Sequence, residues 1–167
     1  REYAVLTGYT LKTDRYHYHD TITRSETTVS VNIENNNQCL RYLARQISNV
    51  EVKESPQWLK DRLESIGQRS INNIVDASNY VMFDLGNPIH IFDAEKVTGD
   101  ITVRNAQSGE RMRMLTGEDV ELAETDLVIA DDTGVLALAG VKGGTKAEVT
   151  ATTKNIIIEV ANFNPAT

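Results

Sequence analysis

A single histidine in the stretch GNPIHIFD (residues 86–93) could take part in acid–base chemistry near neutral pH. His90 follows a turn-forming Gly-Asn-Pro sequence and precedes an apolar pair and an aspartate. Its imidazole could serve as a donor, an acceptor or a base toward a water or a ligand hydroxyl. On spacing alone, however, the favoured interpretation is a histidine at the edge of the core that bonds to backbone.

The stretch AGVKGG (residues 139–144) could bring backbone close to a ligand. Glycines such as Gly143 leave room for a bound molecule and leave backbone N–H groups free to contact it. The GxxxxGK[ST] spacing of a phosphate-binding P-loop is absent. A simple β-turn explains these glycines equally well.

A carboxylate, Glu159, ends the apolar run NIIIEVA (residues 155–161). A charged side chain on an apolar strand is costly unless it has a partner, and an acceptor on an apolar wall suits recognition of a ligand hydroxyl. The alternative is that Glu159 lies on the outward face of a half-buried strand.

Polar residues also lie at both ends of a predicted helix, in RSINN (residues 69–73) and at Asn79-Tyr80. Helix capping explains Asn72 or Asn73 without any further role. Arg69 and Asn79 remain candidates for contact with a ligand.

The common hydrolase and metal motifs are absent. The sequence has no Ser-His-Asp ordering, no HExxH and no CxxC, and its only cysteine, Cys39, is interpreted as a buried apolar residue. His17 and His19 are spaced to share a strand face, but no third ligand is nearby, so a solvated loop is preferred to a metal site. We therefore predict no metal site, and the single cysteine suits a reducing, cytoplasmic setting.

Charge restricts the partners that this chain could bind. It has 24 acidic against 17 basic residues, a net charge of −7, and no run rich in lysine or arginine. A protein that grips a long nucleic acid needs a basic surface, so we expect no DNA partner and, at most, contact with one end of an RNA. Apolar runs fall far short of the ~20 residues that span a bilayer, so no membrane association is predicted. The start at Arg1 and the stop after Pro165 are interpreted as those of an excised piece.

The patterning predicts an α+β fold, with mixed or antiparallel sheets and a few helices packed against them. One helix is expected from an N-cap at Ser55 and Pro56 to Gly67, and a second from about Asn73 to Leu85 with Ile74, Val81 and Leu85 inward. Residues 1–34 are predicted to form strands around a polar loop at residues 14–25, and residues 39–52 an extended segment. Later strands are predicted at residues 89–92, 101–105, 111–115, 127–130, 135–139 and 155–160.

Several motifs in order resemble one known family. NNIVDASNYVM (residues 72–82), LGNPIHIFD (85–93), LAGVKGG (138–144) and IIEVANF (157–163) are similar to the editing domain of the bacterial phenylalanyl-tRNA synthetase beta subunit. CLRY (39–42) and SPQWL (55–59) fit the same family. The resemblance divides the chain into lead-in strands from a neighbouring part of the subunit (1–35) and the editing domain, truncated at its C-terminus (36–167).

The resemblance implies hydrolysis of tyrosine wrongly esterified to tRNA(Phe). Glu159 and the backbone at Gly143 would contact the tyrosine hydroxyl, and Asn79 would line the same pocket. His90 and Arg69 would lie at the ester end, near the terminal adenosine and the attacking water. No cofactor is implied in this domain, because ATP and magnesium serve the synthetic site on the alpha subunit. The implied partners are that subunit, in a cytoplasmic heterotetramer, the 3′ end of tRNA(Phe) and the tyrosine moiety.

The sequence departs from the family pattern at Leu40, Ser78, Asn87, Ile91 and Ala147. The bulk at Ile91 and the missing hydroxyl at Ala147 predict a reshaped pocket. The alternative functions are a non-editing structural module that assists tRNA placement in the same synthetase, and an unrelated ligand-binding domain.

Overall fold

The structure, a computed structural model, describes residues 2–10 and 29–165. Its helices are α1 (Glu2–Thr7), α2 (Gln57–Ser65) and α3 (Asn73–Leu85), with a 3₁₀ turn at Ala94–Lys96. The strands are β1 (Val31–Ile33), β2 (Cys39–Ile47), β3 (His90–Asp93), β4 (Ile101–Asn105), β5 (Arg111–Arg113), β6 (Asp119–Glu121), β7 (Leu127–Asp131), β8 (Gly134–Leu138), β9 (Lys142–Gly143) and β10 (Ile156–Phe163). The α+β prediction is confirmed.

Two sheets and a hairpin account for the described strands. The larger sheet has the order β1-β4-β7-β8-β9, in which β1 and β4 are parallel and the other pairs antiparallel. The smaller sheet, β2-β10-β3, is antiparallel throughout, so it carries β10 between two neighbours. Strands β5 and β6 form the separate hairpin. The pairing of β1 with β4 brings residues 31–33 into the larger sheet, whereas the predicted boundary at residue 35 stays a prediction.

The main core contains inward-facing residues of both sheets. Phe92 and Ile157 from the smaller sheet share one buried cluster with Ile101, Val103 and Leu136 from the larger sheet. Strand residues alternate between faces, so each inward position on β10 is followed by one on the opposite face. This alternation decides which side chains of β10 reach the space between the sheets.

The helix pair α2–α3 is held together by a buried carboxylate. Asp76 of α3 is fully buried and accepts hydrogen bonds from the hydroxyls of Ser55 (2.5 Å) and Ser70 (2.6 Å) and from the backbone N–H of Ile71 (2.9 Å). Asn72 caps α3 by accepting from two backbone N–H groups. Gly86, at φ 77°, ends α3 in the left-handed conformation, so that the chain turns into β3.

Several predictions about the helices are wrong. Residues 3–6 belong to helix α1, not to a strand. The hydroxyl of Ser55 bonds to Asp76 instead of capping α2, whose N-cap position is Pro56. Val81 and Leu85 are 36% and 59% exposed, because the buried positions of α3 are Asp76 and Ser78.

Some of the remaining sequence predictions can be compared with the described residues, and others fall on residues outside them. The extended segment predicted at residues 39–52 is confirmed as β2 only to Ile47, and Cys39 itself is fully buried. His17, His19 and the loop at residues 14–25 lie outside the described residues. Within the described residues, no helix has the length and apolarity to cross a membrane, and no three His, Cys, Asp or Glu side chains group as metal ligands.

Candidate functional site

A cavity of about 300 Å³ opens where β3 and β10 of the smaller sheet meet β7, β8 and β9 of the larger sheet. His90, Gly143 and Glu159, three of the residues singled out in the sequence, line it together. Most of the wall is apolar, and its apolar side chains come from both sheets and the hairpin: Pro88, Ile89, Leu115, Ile129, Ala137, Leu138, Val141, Ala161 and Phe163. The size and the mostly apolar lining with few polar groups are typical of small-molecule sites of ~300–1,000 Å³.

Glu159 lies in the middle of the smaller sheet. It is 6% exposed, and its register partners are His90 on β3 and Ala44 on β2. No residue that the structure describes makes a hydrogen bond or ion pair with its carboxylate. Burial raises the pKa of Glu159 to about 7, because the charged form loses hydration without gaining a partner. An isolated buried acceptor is therefore available to a ligand in the cavity.

His90 faces the same side of the sheet as Glu159, because directly paired residues on neighbouring strands point to one face. Its ring packs edge-on against Phe92, with 4.7 Å between the ring centroids. Burial lowers the pKa of His90 below its ordinary value, since the imidazolium would be poorly hydrated there. The neutral imidazole is thus favoured, with one nitrogen able to donate and the other able to accept.

Gly143 is required where it stands because the His90 ring lies directly against it. A methyl group at position 143 would come within 2.4 Å of Cε1 and 2.8 Å of Nε2 of His90, and within 3.1 Å of Cδ1 of Leu115. The glycine therefore lets the backbone of β9 approach the imidazole. It defines one wall of the cavity through backbone rather than through a side chain.

Leu115 was not predicted from the sequence as a site residue. It follows β5 in the hairpin, and its backbone N–H donates to the carbonyl of Gly143 at 3.1 Å. A bridge between Met114 and Gly144 fixes the same contact. The hairpin thereby places an apolar side chain over the cavity. The sequence predicts only a strand at residues 111–115, which says nothing about this docking.

Arg69 and Asn79 are not part of the cavity lining. Arg69 is exposed in the segment between α2 and α3, and Asn79 is half-buried about two turns before the end of α3. Only the chain after α3, from Pro88 onward, reaches the cavity. Asn79 thus lies outside this cavity, because α3 ends before the chain arrives there, and its contact with a ligand stays a prediction.

The departures from the family pattern also lie away from the cavity walls. Ile91 pairs with Ile158 and so faces the side of the sheet opposite to His90. Ala147 is 1% exposed within the main core. Leu40 and Asn87 are exposed, and the hydroxyl of Ser78 donates to the carbonyl of Val75. Neither Ile91 nor Ala147 reshapes the cavity directly.

The chain is similar in sequence to a known domain family and to several curated proteins. Residues 38–167 match the B3/4 domain family. The phenylalanine–tRNA ligase beta subunit of Fusobacterium nucleatum is 44% identical over 165 residues, which is 99% of this chain and 21% of the relative. That of Geobacter metallireducens is 42% identical over 167 residues, again 99% of this chain and 21% of the relative. The chain thus spans about a fifth of the length of these relatives.

A solved structure supports the fold. An N-terminal fragment of the phenylalanyl-tRNA synthetase beta subunit from Pyrococcus horikoshii is similar, with a TM-score of 0.62. The similarity covers 83% of this chain and 44% of the fragment at 17% sequence identity. At that identity the likeness concerns the fold alone.

Proposed function

This chain belongs to the B3/4 domain family, and we propose that it is the proofreading part of a phenylalanine–tRNA ligase beta subunit that hydrolyses tyrosine wrongly attached to tRNA(Phe). The reaction joins water to the ester carbonyl carbon and breaks the bond from that carbon to the ribose oxygen. The ribose oxygen takes up a proton, so the products are free tyrosine and a tRNA with a free 3′ end. A small cavity that accepts one side chain and the adjoining ester is what this reaction needs.

The observation that carries the proposal is the unpartnered carboxylate of Glu159 in an apolar wall. An apolar pocket rejects an added hydroxyl by only about 100-fold, whereas a site that must bond the hydroxyl can discriminate by ~10⁴–10⁵. The phenol of tyrosine would donate to Glu159, while phenylalanine would leave the buried carboxylate without a partner. The site therefore selects tyrosine by polarity rather than by size.

We assign His90 to positioning the attacking water or the ribose. Its neutral imidazole is on the neighbouring strand as the register partner of Glu159, and the ring of Phe92 and the backbone of Gly143 hold it in place. An aminoacyl ester is already activated, so holding water in line supplies a large part of the rate without an obligatory general base. Arg69, exposed outside the cavity, and Asn79 are proposed to contact the terminal adenosine of the tRNA rather than the tyrosine.

The partners follow from the same proposal. The alpha subunit would hold the synthetic site with its ATP and magnesium, and the 3′ end of tRNA(Phe) would carry the misplaced tyrosine to this domain. No metal or cofactor takes part in the proposed hydrolysis. The assembly would be a heterotetramer that works in the cytoplasm.

Deacylation of tyrosyl-tRNA(Phe) by the complete beta subunit with its alpha partner tests the proposal. Glu159→Ala should weaken recognition of tyrosyl-tRNA(Phe) by about 10–100-fold, since a hydrogen bond to a charged group contributes about 1.5–3 kcal/mol. His90→Ala should lower the rate for bound ester, measured in single turnover. Glu124→Ala, a change at an exposed glutamate, is the matched control. Unchanged rates in both site variants would instead indicate a structural module that does not edit.

A further inference from the structure

The hydroxyl of Tyr42 is buried without a partner. Tyr42 lies on β2 and is 7% exposed. Its hydroxyl oxygen is the one fully buried side-chain polar atom, within the residues described, that makes no hydrogen bond. Native proteins pair nearly all such groups, because a buried donor that has left water and found no acceptor costs free energy. This hydroxyl therefore needs an acceptor that it can reach.

Sheet register directs Tyr42 toward Glu159. Tyr42 pairs with Ala161 of β10, and Glu159 pairs with Ala44 of β2. Since paired residues and residues two apart share one face, Tyr42 and Glu159 are diagonal neighbours on the inward side of the smaller sheet. Burial raises the pKa of Tyr42 above its ordinary value, and the nearby charge of Glu159 raises it further. Neither of them has another hydrogen-bond partner among the described residues.

Other titratable groups near Glu159 do not supply a competing donor. His90 on β3 is its direct register partner, but no hydrogen bond joins them. Cys39, on β2 with Tyr42, donates through Sγ to the carbonyl of Arg41 at 3.6 Å. Lys142 on β9 also lines the cavity but is exposed. The other side chains that the larger sheet presents to this space, such as Ile129 and Ala137, are apolar.

We propose that Tyr42 is a positioning residue that donates a hydrogen bond to the carboxylate of Glu159 from the neighbouring strand β2. The two side chains bond directly once the Glu159 side chain has rotated slightly, or they bond through one bridging water. Tyr42 is not part of the cavity lining, so it does not touch a ligand there. It acts by holding one carboxylate oxygen and favouring the ionised form, which leaves the other oxygen to accept from a ligand hydroxyl. The role in selecting tyrosine rests on the proposed function, whereas the bond between the two side chains does not.

Titration of the Glu159 side-chain carboxyl by carbon NMR in this chain tests the bond without any substrate. Tyr42→Phe removes one oxygen and keeps the ring, so the titration midpoint should rise by about 0.5–1 pH unit, as expected for loss of a hydrogen bond to the charged form. Tyr80→Phe is the matched control, because it deletes a hydroxyl that bonds Arg62 on α2, away from the cavity. A midpoint that is the same in Tyr42→Phe and wild type would overturn the proposal.

A second measurement needs no variant. The ring carbon that bears the Tyr42 hydroxyl should shift with the same midpoint as Glu159 when wild type is titrated, because donation strengthens as the carboxylate ionises. A Tyr42 signal that stays constant through that midpoint would also overturn the proposal. In the deacylation assay, the pH profile for tyrosyl-tRNA(Phe) should move upward in Tyr42→Phe by the same amount. If wild type does not deacylate while the NMR midpoints shift as expected, the proposed function fails and the role of Tyr42 stands.

Discussion

At the scale of single residues, the buried carboxylate of Glu159 should make stability depend on pH. Its pKa is about 7 in the folded chain against an ordinary value of 4.5. At pH values between these two pKa values, Glu159 is protonated in the folded state and ionised in the unfolded state. The free energy of unfolding therefore falls as pH rises through that window. The stabilising effect is complete below about pH 4.5 and is lost above about pH 7, a change of about 3 kcal/mol.

Glu159→Gln should remove this dependence. The free energy of unfolding is measured in urea at a series of pH values from 4.5 to 8. Relative to wild type, the value for the variant should rise by about 3 kcal/mol across this range, since glutamine does not ionise. Titration of other groups cancels in the comparison. Glu124→Gln, at an exposed position, should track wild type at every pH. A constant difference between Glu159→Gln and wild type would mean that folding does not raise the pKa of Glu159.

The residues of the candidate site were predictable to different extents. His90, Gly143 and Glu159 were found because each is chemically unusual in its local run, and the structure brings them to one cavity. Tyr42 and Leu115 were missed, because their contributions depend on strand register and on docking of a hairpin. Neither is visible in a linear pattern of residue types.

At the scale of elements, the approach of β9 to β3 should depend on the absence of a side chain at position 143. Gly143→Ala would place a methyl group within 2.4 Å of the His90 ring. Because both strands are fixed in sheets, the ring and Leu115 must move, and such overpacking costs about 1–3 kcal/mol. Urea unfolding measures the loss, and the His90 ring signals in NMR report the displacement.

Gly117→Ala is the control for that experiment. It lies in the β5–β6 hairpin with nothing within 4 Å of the added methyl group, and its φ of 91° means that alanine would incur only backbone strain. We expect it to lower stability by roughly 1–2 kcal/mol while leaving the His90 signals unchanged. Unaltered His90 signals in Gly143→Ala would refute the close contact.

Elements with strong local signals were predicted well. The bounds of α3 and β4 are those expected, because an Asn cap, a terminal glycine and alternating apolar residues are local features. The sequence predicts a strand where the structure has helix α1, since its short alternating run fits either structure. Strand β9 has only two residues and is defined by its partner, so no pattern could reveal it.

At the scale of the whole molecule, the α+β class followed from the order of elements, but the arrangement of two sheets around one core did not. The parallel pairing of β1 with β4, and the central place of β10 between β2 and β3, join segments far apart in sequence. These long-range pairings create the cavity, because they bring β3, β9 and β10 together. Local patterning specifies the strands and leaves the choice of neighbours to packing of the whole chain.

The net charge of −7 predicts how much of an RNA this chain can hold by itself. Affinity for a long nucleic acid comes mainly from neutralising phosphates, and an acidic chain without a basic run has little to offer beyond the end that enters the site. We expect the isolated 167-residue chain to bind whole tRNA(Phe) no more than about threefold more tightly than a short oligonucleotide with the same 3′ end, and with a weak dependence on salt. Fluorescence anisotropy at several salt concentrations measures both. Binding of tRNA that is tenfold tighter and falls steeply with salt would show that this domain grips the body of the tRNA and does not only receive its end.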